Sequence, residues 1–248
     1  MKNILKFLFN YYIKNGRTFF VVCGIKFSFR KKKNYIIVIS ENGKKRKVRK
    51  IPGLEINFYG NNNIVKIYEP MPKFINSKFN IYSKNRCEIQ SSSKGIKNLI
   101  LNLQMHSRIK IGKDCSIVSA EVVVDYNSVL TIGEDCMFSG NIKIWTGDGH
   151  LIYDKVKQSF VMPKNINIGN HVWVGMCSTI LKGVNIPDGC IVGADSVVTK
   201  PFDTPNSIIC GNPAKTVKSG IYWNQLSMTQ IKISGREEEF RSLAISQK

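Results

Sequence analysis

From residue 168 onward the apolar positions of the chain keep a strict six-residue period: Ile168, Val174, Ile180, Ile186, Val192 and Val198. Gly169, Gly175, Gly183, Gly189 and Gly193 stand among them. A period of six fits neither the 3.6 of a helix nor the simple alternation of a long strand. It predicts short strands joined by tight turns in a repeating coil. One apolar side chain per side fills a narrow interior, and Gly or Asn suits corners where the backbone must take a positive φ. Three such sides close a coil of 18 residues, the step from Ile168 to Ile186.

A looser form of the same phrase runs upstream: Asn-Asn-Ile-Val-Lys-Ile at 62–67, Asn-Arg-Cys-Glu-Ile at 85–89, His-Ser-Arg-Ile-Lys-Ile at 106–111 and Asn-Ser-Val-Leu-Thr-Ile at 127–132. The final isoleucines Ile67, Ile89, Ile111 and Ile132 are separated by 22, 22 and 21 residues, each one coil plus a small corner loop. The next step, Ile132 to Ile168, is 36 residues, which leaves an excursion between Trp145 and Pro163. A loop thrown out of a rigid scaffold is where chemistry is expected. An evenly spaced β-sandwich is the alternative pattern, and the strict hexads argue against it.

Ahead of the coil the pattern changes. Lys2, Lys6, Asn10 and Lys14 fall four apart, opposite Ile4, Leu5, Leu8, Phe9, Tyr11 and Tyr12, which predicts a basic amphipathic helix. Such a helix either lies on an anionic membrane surface or caps the open end of the coil. Tyr35–Ile39, Ser40-Glu-Asn-Gly43 and then Lys44–Lys50 predict a hairpin turning at Asn42-Gly43. The chain thus divides into a basic N-terminal segment (1–50), a coil (51–215) with its excursion at 145–165, and a C-terminal tail (216–248).

Charge sharpens this division. Of 37 Lys and Arg and 17 Asp and Glu, residues 1–50 hold 15 of the bases and only one acid, Glu41, so the segment carries +14 of the net +20. The basic run lacks interleaved aromatics and any helix-turn-helix or zinc spacing, so no nucleic acid is expected as a partner. No apolar run approaches the roughly 18 residues that cross a bilayer. No secretory cleavage site follows the first apolar stretch, and a cytoplasmic protein is expected. The seven cysteines are widely spaced, with no Cys-x-x-Cys pair, and are expected as small apolar fillers. At 43% hydrophobic and 22% charged, 248 residues suffice for a sizeable core.

The search for a general base is short, because the histidines are His106, His150 and His171. His106 and His171 lie inside repeat phrases, where a structural role is expected. His150 ends Trp145-Thr-Gly-Asp-Gly-His150 at the start of the excursion, where two glycines let the chain turn sharply. Asp148 and Asp154 are the carboxylates nearest to it in sequence, and the spacing does not choose between them as its orienting group.

The ordered set Asp148-Gly-His150 with Ile152-Tyr-Asp154, Ile168-Gly-Asn-His-Val-Trp173-Val-Gly175, Ile180-Leu-Lys-Gly183, Val192-Gly-Ala-Asp-Ser-Val-Val-Thr-Lys200 and Gly211-Asn-Pro-Ala-Lys215 resembles the left-handed β-helix, hexapeptide-repeat acyltransferases. Within them it resembles in particular the O-acetyltransferases that decorate bacterial surface polysaccharides. The motifs cover residues 111–223, and the weaker repeats extend the likeness back to about residue 53. The resemblance implies an all-β, left-handed parallel β-helix with a short basic N-terminal segment and a short tail. It also implies transfer of an acetyl group from acetyl-CoA to a sugar hydroxyl, with neither a metal nor a covalent enzyme intermediate.

In that reading His150 is the general base and the backbone N–H of Met176 holds the oxyanion. Trp173 lies beside the base and the acetyl group. Gly175, Gly193 and Ala194 let the pantetheine arm approach the coil, and Lys200 and Lys215 meet the phosphates or the adenine end. The family builds its site between subunits, so a homotrimer is implied. The acceptor implied is a surface glycan, and an acidic sugar such as sialic acid suits the positive charge, met at the inner membrane face.

Two alternatives keep the coil but change the function. One is N-acetyl transfer to an amino sugar, and the other is a scaffold that works at a membrane surface through its basic N-terminus. A zinc-dependent carbonic anhydrase of the same coil takes three histidines, but 44 and 21 residues separate those present here, without a close pair.

Overall fold

The computed structural model describes residues 33–246 in full and the backbone of Phe9–Lys14, Arg17–Val22 and Ile25–Arg30. The chain divides into two compact units, Met1–Asn34 and Tyr35–Lys248.

In the second unit the chain winds through three parallel sheets in turn. The first face stacks Tyr35–Ile39, Ile64–Tyr68, Arg86–Ile89, Arg108–Ile111, Val129–Ile132, Ile166–Ile168 and Asn185–Ile186. The second runs from Lys73–Ile75 through Met137–Phe138, Trp173–Val174 and Ile191–Val192 to Ser207–Gly211. The third runs from Leu54–Phe58 through Ala120–Val124, Ile142–Trp145 and Thr179–Leu181 to Val197–Val198. This is the parallel β-helix expected from the six-residue period.

Its interior follows the sequence pattern closely. Val38, Ile67, Ile89, Ile111, Ile132, Ile168 and Ile186 are register partners from coil to coil, so steps of 22, 21 and 36 residues all return to one column. None of these seven is more than 2% exposed. The six hexad residues are fully buried as well. Burial of one branched side chain per side, repeated up the stack, is the main stabilising term.

The corners use side chains more than glycine. Asn62, Asn76, Asn98, Asn127, Asn141, Asp114, Asp135 and Asp195 all take positive φ, as do His106 and His171. Gly183 and Gly189 fit the expected role, with φ of 81° and 68°. Gly175 serves differently: an added Cβ would fall 2.6 Å from the Ala194 nitrogen on the next coil, so it is required by close stacking.

Three findings differ from the sequence expectation. The coil takes in Tyr35–Ile39, which pairs in parallel with Ile64–Tyr68, so the parallel ladder begins before residue 51. Tyr35–Ile39 also forms the expected hairpin with Lys45–Val48, through a turn in which Gly43 has φ 78°. The amphipathic helix is not present over Phe9–Lys14, which is the first strand of an antiparallel three-stranded sheet with Arg17–Val22 and Ile25–Arg30. The rest of the predicted helix lies outside the described residues. The run Phe9-Asn-Tyr-Tyr-Ile13 carries aromatic and β-branched residues that favour strand, and Asn15-Gly16 favours a two-residue hairpin connection.

The tail is also more structured than expected. Ala214–Ser219 turns back along Ser207–Gly211. Helices α1 (Met228–Ser234) and α2 (Glu237–Ser246) follow. α1 starts with a capping box between Ser227 and Gln230 and ends at Gly235 with φ 65°. Among the described residues no helix is long and apolar enough to cross a membrane.

Candidate active site

The excursion leaves the coil at a corner built from buried polar groups. Asn63 Oδ1 accepts the Asn85 N–H at 2.8 Å, and Asn85 Oδ1 accepts the Ser107 N–H at 2.8 Å. On the following coils the Ser128 and Thr146 hydroxyls lie 2.6 Å apart. These five side chains are at most 1% exposed. Buried polar groups are tolerated when each finds a partner, and here they fix one register for the chain at the point of departure.

Beyond Thr146, the two glycines of the motif have separate reasons. A Cβ on Gly147 would lie 2.6 Å from the Asp125 Cβ, whereas Gly149 stands in open space with φ 73°. The loop is closed by the Lys164 N–H donating to the Thr146 carbonyl at 2.9 Å. It carries a small hairpin of Tyr153–Asp154 on Ser159–Phe160, with the two rings edge to face at 5.3 Å.

His150 is exposed on this loop. Neither nearby carboxylate orients it. Asp148 is ion-paired with Lys182, in the turn that follows the third-face strand Thr179–Leu181, and Asp154 accepts the N–H groups of Val156 and Lys157 at 2.9 and 3.0 Å. Lys182 was not legible as a site residue, because the motif places it in a repeat phrase. In the fold it tethers the residue two positions before His150. The Trp145 Nε1 at the root of the loop is buried without an acceptor among the described residues.

A second group gathers around the corner that joins the second face to the third. Trp173 pairs with Met137 and Ile191, and its Nε1 donates to Ser139 Oγ at 3.2 Å. Gly175 donates to the Val192 carbonyl, and the Met176 carbonyl accepts the Asp195 N–H at 2.9 Å. Gly193 and Ala194 therefore lie directly beside Gly175 and Met176 on the adjacent coil. Among the described residues no acceptor takes the Met176 N–H. Lys200 and Lys215 are exposed, and neither has a carboxylate partner among the described residues.

The structure therefore brings Trp173, Gly175, Met176, Gly193 and Ala194 together, and it does not bring His150 to them. His150 stands at the corner between the third face and the first, so the width of the third face separates it from Met176 in one chain.

Other polar groups have structural work. The Cys87 thiol is pushed up to about 12 by burial, and burial also raises Cys190, so both are inert fillers as expected. Among the described residues no group of three or more His, Cys, Asp or Glu stands together as a metal site. His106 lies edge to face with Tyr126 at 5.9 Å. His171 joins a cluster with Asp135 and Trp223 that the sequence did not reveal, since Trp223 lies 52 residues further on.

A three-sided coil interrupted once by a histidine-bearing excursion places the chain among the hexapeptide-repeat acyltransferases. No family model matches it. It is 40% identical over 167 residues to a polysialic acid O-acetyltransferase of Neisseria meningitidis, across 61% of this chain and 78% of that protein. It is 38% identical over 126 residues to a polysialic acid O-acetyltransferase of Escherichia coli O1:K1, across 50% of this chain and 41% of that one. The solved structure of the polysialic acid O-acetyltransferase OatWY superposes with a TM-score of 0.65 at 27% identity, over 84% of this chain and 99% of that one. The chain belongs to the polysialic acid O-acetyltransferase family.

Proposed function

We propose that the protein transfers the acetyl group of acetyl-CoA to a hydroxyl of a sialic acid polymer. The observation that carries this reading is the 40% identity to a polysialic acid O-acetyltransferase over 78% of that protein. The paired coils around Gly175, Met176, Gly193 and Ala194 support it, because they form a seam of backbone and small side chains at which an extended pantetheine arm can lie.

A sugar hydroxyl is a weak nucleophile at neutral pH. His150 takes its proton as the oxygen attacks the thioester carbonyl. The tetrahedral oxyanion receives the Met176 N–H, and Trp173 walls the acetyl group. Collapse expels the coenzyme A thiolate, which takes the proton back from the His150 imidazolium. Lys200 and Lys215 meet the coenzyme phosphates as exposed point charges.

The site is completed between subunits of a homotrimer, where the His150 loop of one copy meets the Trp173–Met176 corner of the next. Two features support this assembly: the separation of His150 from Met176 within one chain, and the apolar side chains the loop holds in solvent. Leu151 is 78% and Val156 93% exposed, with Tyr153, Phe160 and Met162 also exposed. The enzyme works in the cytoplasm, where its basic N-terminal segment draws an acidic glycan to the inner membrane face.

The test is thiol release from acetyl-CoA by purified protein over oligomers of sialic acid, neutral oligosaccharides and amino sugars. Release that depends on the sialic acid oligomer and is lost in His150→Ala supports the reading. Release with amino sugars alone, or none with any acceptor, overturns it.

A further inference from the structure

The C-terminal segment is fastened to the coil through one histidine. The Trp223 ring stacks on the His171 ring at 4.1 Å and 13°. Trp223 Nε1 donates to the His171 carbonyl at 2.9 Å, and the Trp223 carbonyl lies 3.0 Å from His171 Nε2. Tyr222 stacks on the same ring at 5.8 Å. On its other side His171 Nδ1 lies 2.7 Å from Asp135 Oδ2. Asp135 Oδ1 accepts from Lys94 Nζ at 2.6 Å and from Gln225 Nε2 at 2.9 Å.

The ring is held at both nitrogens and on its face. Partial burial tends to raise the Asp135 carboxyl, but hydrogen bonds from Lys94 and His171 outweigh it and hold the group below the ordinary carboxylate range. His171 therefore joins the coil carboxylate Asp135 to the tail through one ring, with the Trp223 carbonyl at its other nitrogen and the indole stacked against it.

Trp223 in turn lies 6.0 Å from Trp173 at a 45° tilt. We infer that Asp135 and His171 are positioning residues of the acetyl-transfer site, clamping Trp223 against Trp173 so that the aromatic wall of the site is fixed. The inference rests on the placement of Trp173 at the site proposed above. The titratable and charged groups that face the His171 ring are Asp135, backed by Lys94, from the coil and Tyr222 from the tail.

The experiment measures tryptophan fluorescence and limited proteolysis of the tail in the wild type, His171→Asn, Asp135→Asn and Trp223→Phe, beside kcat and KM for acetyl transfer. Asn at 171 keeps a residue that tolerates the positive φ. His171→Asn and Asp135→Asn are expected to show altered tryptophan fluorescence and faster cleavage near Trp223 than the wild type, and Trp223→Phe identifies the indole that reports the change. Both positioning variants lose roughly tenfold in kcat/KM, as for one lost charge-assisted hydrogen bond.

Wild-type fluorescence with an equally protected tail in His171→Asn overturns the clamp. A released tail accompanied by wild-type kinetics in both variants overturns its link to catalysis. No turnover by the wild type, with the tail released in His171→Asn, overturns the proposed reaction and the positioning role with it, and leaves the clamp standing.

Discussion

The hydroxyls of Ser128 and Thr146 lie 2.6 Å apart in a corner where neither side chain reaches solvent. Thr146 Oγ1 also accepts the Asp125 N–H at 2.7 Å, and the Thr146 carbonyl accepts the Lys164 N–H that closes the excursion. Thr146→Val keeps the shape and removes the oxygen, leaving the half-buried Asp125 N–H without this acceptor, while the Ser128 hydroxyl keeps its bond to the Asp125 carbonyl at 2.7 Å. A loss of about 1–3 kcal/mol is expected in denaturant unfolding. A fall in kcat is expected with it, because the loop that carries His150 starts from this residue. A variant as stable as the wild type would show that the hydroxyl has no part in holding the corner.

Gly175 and Gly149 make opposite predictions for the same substitution. Gly175→Ala drives a Cβ to 2.6 Å from the Ala194 backbone nitrogen, so the coils must separate, at a cost of about 1–3 kcal/mol. Gly149→Ala meets no neighbour and costs only the strain of its positive φ, about 1 kcal/mol. The first variant is expected to lower the melting temperature. The second is expected to leave it nearly unchanged while lowering activity, since it re-aims the residue next to His150. Equal melting temperatures for the two would contradict the close stacking at Gly175.

The fold was legible because a solenoid repeats one decision. The isoleucines spaced 22, 21 and 36 residues apart share one column because burial selects the same apolar position on every coil, whatever length of loop intervenes. The N-terminal segment departs from the helical expectation because the four-residue spacing of Lys2, Lys6, Asn10 and Lys14 competes with Asn15-Gly16, a stronger local signal for a hairpin. The candidate site was half legible. Short-range motifs mark Trp173, Gly175 and His150, but the Lys182–Asp148 pair and the Asp135–His171–Trp223 cluster join residues 34 to 88 positions apart through the winding of the coil. No local pattern encodes such pairs.

Asp135 predicts an acid limb of stability. Its carboxyl lies lower in the folded chain than when free, so its contribution is present in full above the ordinary value of about 3.9 and is lost as the pH falls through the folded value. Denaturant midpoints for the wild type and Asp135→Asn are expected to differ most near neutral pH and to converge as the pH falls through the folded value. A gap that is constant with pH would mean that the carboxylate charge is not what stabilises this cluster.

The separation of His150 from Trp173 predicts complementation between inactive chains. If each site takes its base from one subunit and its aromatic wall from the next, His150→Ala and Trp173→Ala are each inactive alone. Co-expressed in equal amounts they assemble at random, and one interface in about four then joins an intact His150 to an intact Trp173. Purification through tags on both chains removes the two homotrimers, and each remaining trimer has one such interface of its three, so roughly a third of wild-type activity is expected in the mixed trimer, measured as acetyl transfer. Substituting Val156 and Phe160 by Ser on the exposed loop should abolish this recovery by preventing assembly, which sedimentation would report as a shift to monomer. If the mixture stays inactive while the trimer forms, the two residues serve one site within a single chain, and the loop must then fold back across the third face to reach Trp173.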